Sequence, residues 1–220
     1  MKEALERALY SKYPFIFDPV HLPTSKKPMV RNIECGDGWY PLLDGLCEVL
    51  SSRALNGDQA AVEAMQVKQK FGGLRFFFDG GCDHAEGAAS MASAMSYHVC
   101  EETGRPGTLM ARNRWVRTLA EDVGRMRGYR SLGLSALESV EWDMATEVVN
   151  LPLGWHAIAA VLKGVIAKAA PSAVVRFGHR SAGLSVDIRN GTEWAKGAGE
   201  CALALSVRTD AVTGTMLIPI

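Results

Sequence analysis

Apolar residues recur at helical spacing twice along this chain, and each time a Gly-Trp pair opens the series. Gly38-Trp39 begins Trp39, Leu42, Leu43, Leu46, Val49 and Leu50, and Gly154-Trp155 begins Trp155, Ile158, Ala159, Leu162, Val165 and Ile166. Both follow i, i+3, i+4, i+7 and so lay one apolar stripe along a helix. The offset between them is 116 residues at every position.

A second block recurs at an offset of 110 residues: Gly73-Leu74 with Gly183-Leu184, Gly81 with Gly191, and Thr103-Gly104 with Thr213-Gly214. Between these, Ala85, Gly87, Ala88, Ala92, Ala94 and Ser96 match Ala195, Gly197, Ala198, Ala202, Ala204 and Ser206. That makes 11 identities over residues 71–104 without a gap. Fixed-offset self-similarity is the mark of an internal repeat. The change of offset requires six extra residues in the first copy, and residues 55–60 are the natural place, since surface loops tolerate insertion.

Each copy predicts the same elements. A helix follows Gly-Trp, then a hairpin: residues 65–70 turning at Gly72-Gly73 into 74–79, and 174–178 turning near Ala182-Gly183 into 184–188. Glycine supplies the positive φ that a tight hairpin turn needs. Residues 184–188 alternate cleanly, giving one buried and one wet face. Residues 74–78 are apolar on both faces, which predicts a central or covered strand. A second helix starts near Asp83 and Glu193, with Asp83 as N-cap and a mostly small-residue face. Thr103-Gly104 and Thr213-Gly214 provide the stops. Small residues let two such helices approach closely, on each other or on the sheet.

The fold class predicted is α+β: two pseudo-symmetric helix-strand-strand-helix repeats forming one four-stranded antiparallel sheet covered by helices on one face. Two separate small domains are the alternative. The organisation reads as an N-terminal helix and Pro-rich arm at 1–31 (Pro14, Pro19, Pro23, Pro28), a first αββα repeat at 32–104, a helical connector at 105–153 and a second αββα repeat at 154–220. The connector predicts helices at 112–127 and 134–149. Because a chain that pairs its own halves has less need to dimerise, the reading leans to a monomer.

Composition narrows the functional classes. The 220 residues carry 24 Lys and Arg against 24 Asp and Glu, a net charge of zero. That argues against strong steering towards nucleic acid or anionic membrane, though a local patch survives in a neutral total. No apolar run reaches the roughly 18 residues of a membrane helix, and residues 1–7 read as a charged amphipathic helix and not a signal peptide. Five scattered cysteines (Cys35, Cys47, Cys82, Cys100, Cys201) indicate reduced thiols and a cytoplasmic setting.

Three candidate chemistries remain. Arg112, Arg114, Arg117, Arg125 and Arg127, interleaved with Trp115, could meet nucleic-acid phosphates and bases or an acidic protein surface; a solvated structural face looks the same. Cys82 and His84, in Asp79-Gly80-Gly81-Cys82-Asp83-His84, could form a thiol-based site at a helix N-terminus. Yet the matching loop, Arg189-Asn190-Gly191-Thr192-Glu193-Trp194, keeps the turn and loses the chemistry. Metal ligation by Cys82, His84 and His98 fails on spacing, since fourteen residues along one helix are about four turns. No phosphate-binding glycine fingerprint and no Ser–His–Asp arrangement occurs. Trp39 and Trp155 read as core anchors.

Three stretches resemble a family of small tailed-phage and prophage proteins with no assigned activity. They are Ile33-Glu34-Cys35-Gly36-Asp37-Gly38-Trp39, then Val67-Lys68-Gln69-Lys70-Phe71-Gly72-Gly73-Leu74-Arg75-Phe76, then Cys100-Glu101-Glu102-Thr103-Gly104-Arg105-Pro106-Gly107. The resemblance covers roughly residues 10–125. It implies a small structural zinc site, built from Cys-x-x-Cys-Gly-x-Pro-Gly and a later helix with Cys and His. In this chain Cys100 is kept, while Thr103, Ala120 and Val123 stand at the other ligand positions. Tetrahedral zinc needs four N or S ligands, so the site reads as degenerate, with no metal and no cofactor, and apolar packing around Leu119 and Val123 in its place. The functional expectation is a non-enzymatic, macromolecule-binding protein of phage or prophage origin acting in the host cytoplasm, with inhibition of host defence as one such role, with a protein partner and no membrane. A nucleic-acid-binding accessory protein and a Cys82/His84 enzyme are the alternatives.

Overall fold

The computed structural model describes residues 1–17, 33–55, 62–133, 151–180 and 183–219. Helix α1 (Glu3–Lys12) and a short α2 (Pro14–Phe17) come first. The rest of the proline-punctuated arm lies outside the described residues, as do the expected helix at 134–149 and most of the expected insertion at 55–60. The chain continues through α3 (Tyr40–Leu55), β1 (Val62–Lys70), β2 (Gly73–Gly80) and α4 (Asp83–Ser96). A middle segment follows: β3 (Thr108–Arg112), β4 (Trp115–Leu119), α5 (Glu121–Met126) and β5 (Arg130–Ser131). The last segment is α6 (His156–Ala169), β6 (Val174–Arg180), β7 (Gly183–Arg189) and α7 (Glu193–Ser206). The protein is thus α+β with small antiparallel sheets. Among the described residues no helix is long and apolar enough to cross a membrane.

Both Gly-Trp pairs sit in a single 3-10 turn, Asp37–Trp39 and Leu153–Trp155, that feeds directly into α3 and α6. Glycine is required there by close approach. A Cβ on Gly38 would lie 2.2 Å from the Cys100 carbonyl oxygen, and one on Gly154 would lie 2.2 Å from that of Asp210. The indole N–H of Trp39 donates to Val99 O at 2.8 Å, and that of Trp155 to Thr209 O at 3.4 Å. The ring therefore ties the start of the first helix to the chain just beyond the second, while its apolar body fills the core.

The centre of the molecule is the crossing of α4 and α7. Ala85, Ala88 and Ala92 on one helix, and Ala195, Ala198 and Ala202 on the other, are fully buried. At the crossing a Cβ on Gly87 would lie 1.9 Å from Trp194 O, and one on Gly197 would lie 1.9 Å from His84 O. Helices α3 and α6 each pack on both α4 and α7, adding Leu42, Leu43, Leu46, Ile158 and Leu162 to one core. Each such buried aliphatic side chain contributes roughly 1.5–3 kcal/mol relative to exposure.

The hairpins do not merge into a four-stranded sheet. β1–β2 and β6–β7 are separate two-stranded ribbons. Each ribbon packs on its own second helix, and the helices are what meet. At the start of β2 the Ser96 hydroxyl accepts from Leu74 N at 2.8 Å, and at the start of β7 the Ser206 hydroxyl accepts from Leu184 N at 2.9 Å. These bonds turn the outer strand edges towards α4 and α7, away from each other. β2 is accordingly not central: Phe77 is 49 % exposed and lies under the Lys68 ammonium at 5.8 Å.

Three local expectations also change. The first hairpin turns at Phe71-Gly72, with φ of +52° and +81°, and Gly73 already belongs to β2. Helix α4 has Cys82 as N-cap with no side-chain cap, whereas Thr192 caps α7 by accepting from Ala195 N. The second helices stop at Ser96 and Ser206. Gly104 and Gly214, at φ of +72° and +69°, serve the turn after them, where each amide donates four residues back, to Cys100 O and Asp210 O.

Residues 108–119 form strands and not the expected helix at 112–127. Arg112 pairs with Trp115 across a two-residue turn whose Asn113 has φ of +55°. Trp115, Val116 and Thr118 suit a pleated surface, and β5 adds to the outer edge of β3. Only residues 121–126 are helical.

Candidate functional site

The β3–β4 hairpin, α5 and the residue after it carry the arginines that the sequence singled out, but the structure gives most of them internal work. Arg117 donates to the buried Glu101 carboxylate at 3.0 Å and to Glu102 at 2.7 Å. Burial alone would lower its pKa; the two carboxylates outweigh burial and hold the guanidinium ionised well above its ordinary value. Arg127 pairs with Glu102 at 2.7 Å, and Arg125 with Glu121 one turn away. Arg105 grips Asp122 through both carboxylate oxygens, which keeps that carboxyl below its usual range. Arg112 donates to Arg127 O and lies 5.3 Å from the Tyr129 ring centroid. A continuous basic stripe therefore does not form. Arg114 and Trp115 remain at the hairpin tip, and Trp115 is 71 % exposed.

A second exposed aromatic belongs to the next hairpin. Phe71, 68 % exposed, stands at the β1–β2 turn. Thr118 donates its hydroxyl proton to Gly72 O at 2.6 Å, and Gln69 donates its side-chain amide to Val116 O at 2.7 Å. These bonds hold the two hairpins together.

Three of the four positions that the zinc resemblance implies are drawn into one small cluster. Cys100, Ala120 and Val123 are buried together with Met110, Leu119 and Tyr129. Thr103 sits in the turn above, its hydroxyl accepting from Arg105 N. Among the described residues no three His, Cys, Asp or Glu side chains converge to hold a metal ion.

Cys82 and His84 are separated by burial. Cys82 is exposed at the start of α4, whereas His84 is 0 % exposed inside the α4–α7 crossing. Its Nε2 lies 3.0 Å from a Glu200 carboxylate oxygen, yet neither ring nitrogen has a partner in good hydrogen-bond geometry. Glu200 is held in turn by Arg53 at 3.1 Å. His84 is thus closed inside the crossing while Cys82 faces solvent, and the Arg53–Glu200 pair beside it is partly exposed. His98 lies beyond the end of α4, and burial holds it below the ordinary imidazole range.

Sequence reasoning missed a groove of about 560 Å³ between β2 and α4. Its floor is Phe76 and Phe78, its far wall Ala89, Ser90 and Ser93, and its closed end Arg75 and Tyr97. The available signal was the stripe Glu86, Ala89, Ser90, Ser93, Ala94, Tyr97, which puts small residues on the α4 face beside an aromatic strand. The matched place between β7 and α7 holds about 160 Å³, narrowed by Glu200 and Leu203. No protein-family model, curated protein or solved structure matches the chain.

Proposed function

We propose that this chain is a non-enzymatic binding protein of phage or prophage origin that engages a protein partner through the tip of the β3–β4 hairpin. The observation that carries the reading is Trp115, 71 % exposed at the first residue of β4, just after a two-residue turn, and flanked by exposed Arg112 and Arg114. Tryptophan and arginine dominate the binding energy of protein interfaces. An indole carried on a paired hairpin needs less backbone ordering on binding than one on an unpaired segment. The exposed Phe71 stands on the turn of the hairpin bonded to this one. Arginines beside the indole fit a partner with acidic groups around an apolar pocket, and inhibition of a host defence protein in the cytoplasm is one such role.

The experiment is capture from host lysate at several salt concentrations, with wild-type protein and Trp115→Ala. A partner retained by the first and lost by the second supports the reading. Equal capture by both, or none, removes it. The nucleic-acid alternative predicts binding to a defined duplex or single strand that weakens steeply with salt. It is the weaker reading, because Arg117, Arg125 and Arg127 already face Glu101, Glu102 and Glu121.

The same reading takes the two αββα segments as diverged copies of one unit and the Cys100 cluster as an apolar replacement for a zinc site. Reciprocal contacts at matched positions support the first. The burial of Cys100, Ala120 and Val123 in one cluster supports the second. A Thr103→Cys, Ala120→Cys, Val123→His variant should take up one zinc ion in equilibrium dialysis; a variant that folds and takes up none argues against the zinc ancestry.

A further inference from the structure

We propose that the groove between β2 and α4 is a second binding site, which takes the carboxyl-terminal residues of another protein chain as a strand added antiparallel to β2. This site is independent of the hairpin tip. It rests on four features of one place.

The first is an open strand edge. Leu74 points its N–H and C=O away from β1, because its N–H donates to the Ser96 hydroxyl and its carbonyl accepts from the Ser93 hydroxyl at 2.9 Å. Strand alternation then turns the N–H and C=O of Phe76 and Phe78 outward as well. β2 has β1 as its sole strand partner among the described residues. Those four backbone groups therefore stand along the groove wall, able to pair with an extended segment.

The second is a closed end. Past Phe76 the edge is occupied: Ser93 and Ser96 take both polar groups of Leu74, and Tyr97 lies so close that a Cβ on Gly73 would meet its ring at 2.4 Å. An added strand has to stop there. An antiparallel strand runs opposite to β2, so the end that stops beside Leu74 is its C-terminus.

The third is charge. At that closed end Arg75 donates to Leu74 O at 3.0 Å, to Ser93 Oγ at 3.3 Å and to Tyr97 Oη at 2.9 Å. All three acceptors are neutral, and no carboxylate pairs with Arg75 among the described residues. A pre-positioned guanidinium without a counter-charge is the complement of a terminal carboxylate.

The fourth is depth. Phe76 and Phe78 are partly buried, and facing them α4 presents Ala89, Ser90 and Ser93, which leave about 560 Å³. That accommodates apolar side chains from alternate residues of the added strand. In the second segment Leu203 and Glu200 take the places of Ser93 and Ser90, and the space falls to about 160 Å³. One segment thus serves as the internal control for the other.

The test is fluorescence anisotropy with labelled five-residue peptides carrying Val, Ile, Leu or Phe at the last and third-last positions. Each is made once with a free C-terminal carboxylate and once as the carboxamide. The expected result is binding of acid peptides, with amides weaker by about tenfold or more. Arg75→Gln should erase that difference. Ser93→Leu, which copies the second segment, should abolish binding while circular dichroism shows the fold intact. Trp115→Ala should bind the peptides like wild type, which separates this site from the hairpin tip. Acid and amide binding alike, acid peptides bound equally by a folded Ser93→Leu variant, or no binding by any peptide would overturn the proposal. So would concentration-dependent self-association that Ser93→Leu removes, since the occupant would then be a second copy of this chain.

Discussion

Ser93 on α4 and Leu203 on α7 hold matched places beside β2 and β7, and that exchange helps turn an open groove into a narrow one. Elsewhere the two αββα segments correspond closely in what they bury. Trp39 and Trp155 both bond a carbonyl beyond the second helix. Ser96 and Ser206 both hold the start of the second strand. Gly87 and Gly197 each let the opposing backbone in to the same distance. Differences also stand at the rims: Arg75 against Ser185, and Glu86 against Lys196. Contacts that close the core tolerate little change because interiors are packed to near-crystalline density. Positions half in solvent can differ at small cost, and there one segment carries a wider groove than the other.

The helix crossing offers the most severe trial of this correspondence. Gly87→Ala and Gly197→Ala each drive a methyl into a backbone carbonyl, so each should cost about 3 kcal/mol or more, towards or past the upper end of overpacking penalties. Urea unfolding curves should show both losses at similar size; a neutral outcome at one glycine would break the match.

The second trial probes a contact made in one direction alone. Asp44 on α3 accepts from Lys12, from the Tyr13 hydroxyl and from Arg208 beyond α7. It thereby ties the N-terminal helix and both segments together. Burial raises its pKa, but the hydrogen bonds from Lys12, Arg208 and Tyr13 outweigh burial, and the carboxyl ends below its ordinary value. The depressed folded pKa places its stabilisation above the unfolded pKa of about 4 and removes it as pH falls through the folded value. Asp44→Asn should therefore cost about 2–3 kcal/mol at neutral pH, since one partner of a buried ion pair is lost. The gap from wild type should narrow on acid titration.

Smaller effects sharpen the comparison further. Trp39→Phe removes a 2.8 Å bond from a residue with no exposed surface, and Trp155→Phe removes a 3.4 Å bond from one that is 6 % exposed. The expected costs are about 1.5 and about 0.5 kcal/mol respectively, measured by thermal or urea unfolding. The smallest effect concerns thiols. Burial pushes Cys201 up to about 12 and raises Cys35 and Cys47 as well, whereas Cys82 is exposed. A thiol reagent on the native protein should label Cys82 first, and Cys82→Ser should remove that fast phase without measurable change in stability.

Much of the architecture could be read from residue order. The i, i+3, i+4 stripes after Trp39 and Trp155 located α3 and α6, and the Gly-bearing turns located both ribbons. The hairpin at 108–119 could not be read in the same way. Its arginine-rich stretch is compatible with a helix, and what selects strand is Asn113 at positive φ together with pairing to Arg130 and Ser131, a contact nearly twenty residues away. Candidate chemistry was less legible. Arginine spacing cannot show that Glu101 and Glu102 will neutralise Arg117 and Arg127, and the short Cys82–His84 interval cannot show that one side chain faces water and the other a helix crossing.

Residue order by itself determined the local elements of the two αββα segments, the two Gly-Trp anchors and the small-residue faces of α4 and α7, because backbone preference and hydrophobic period act over a few residues. Tertiary structure alone decided that those two helices meet each other, that the ribbons stay apart, and that a groove opens beside β2. Each outcome depends on which distant surfaces fill the same space, and steric fit between remote segments leaves no periodic trace along the chain.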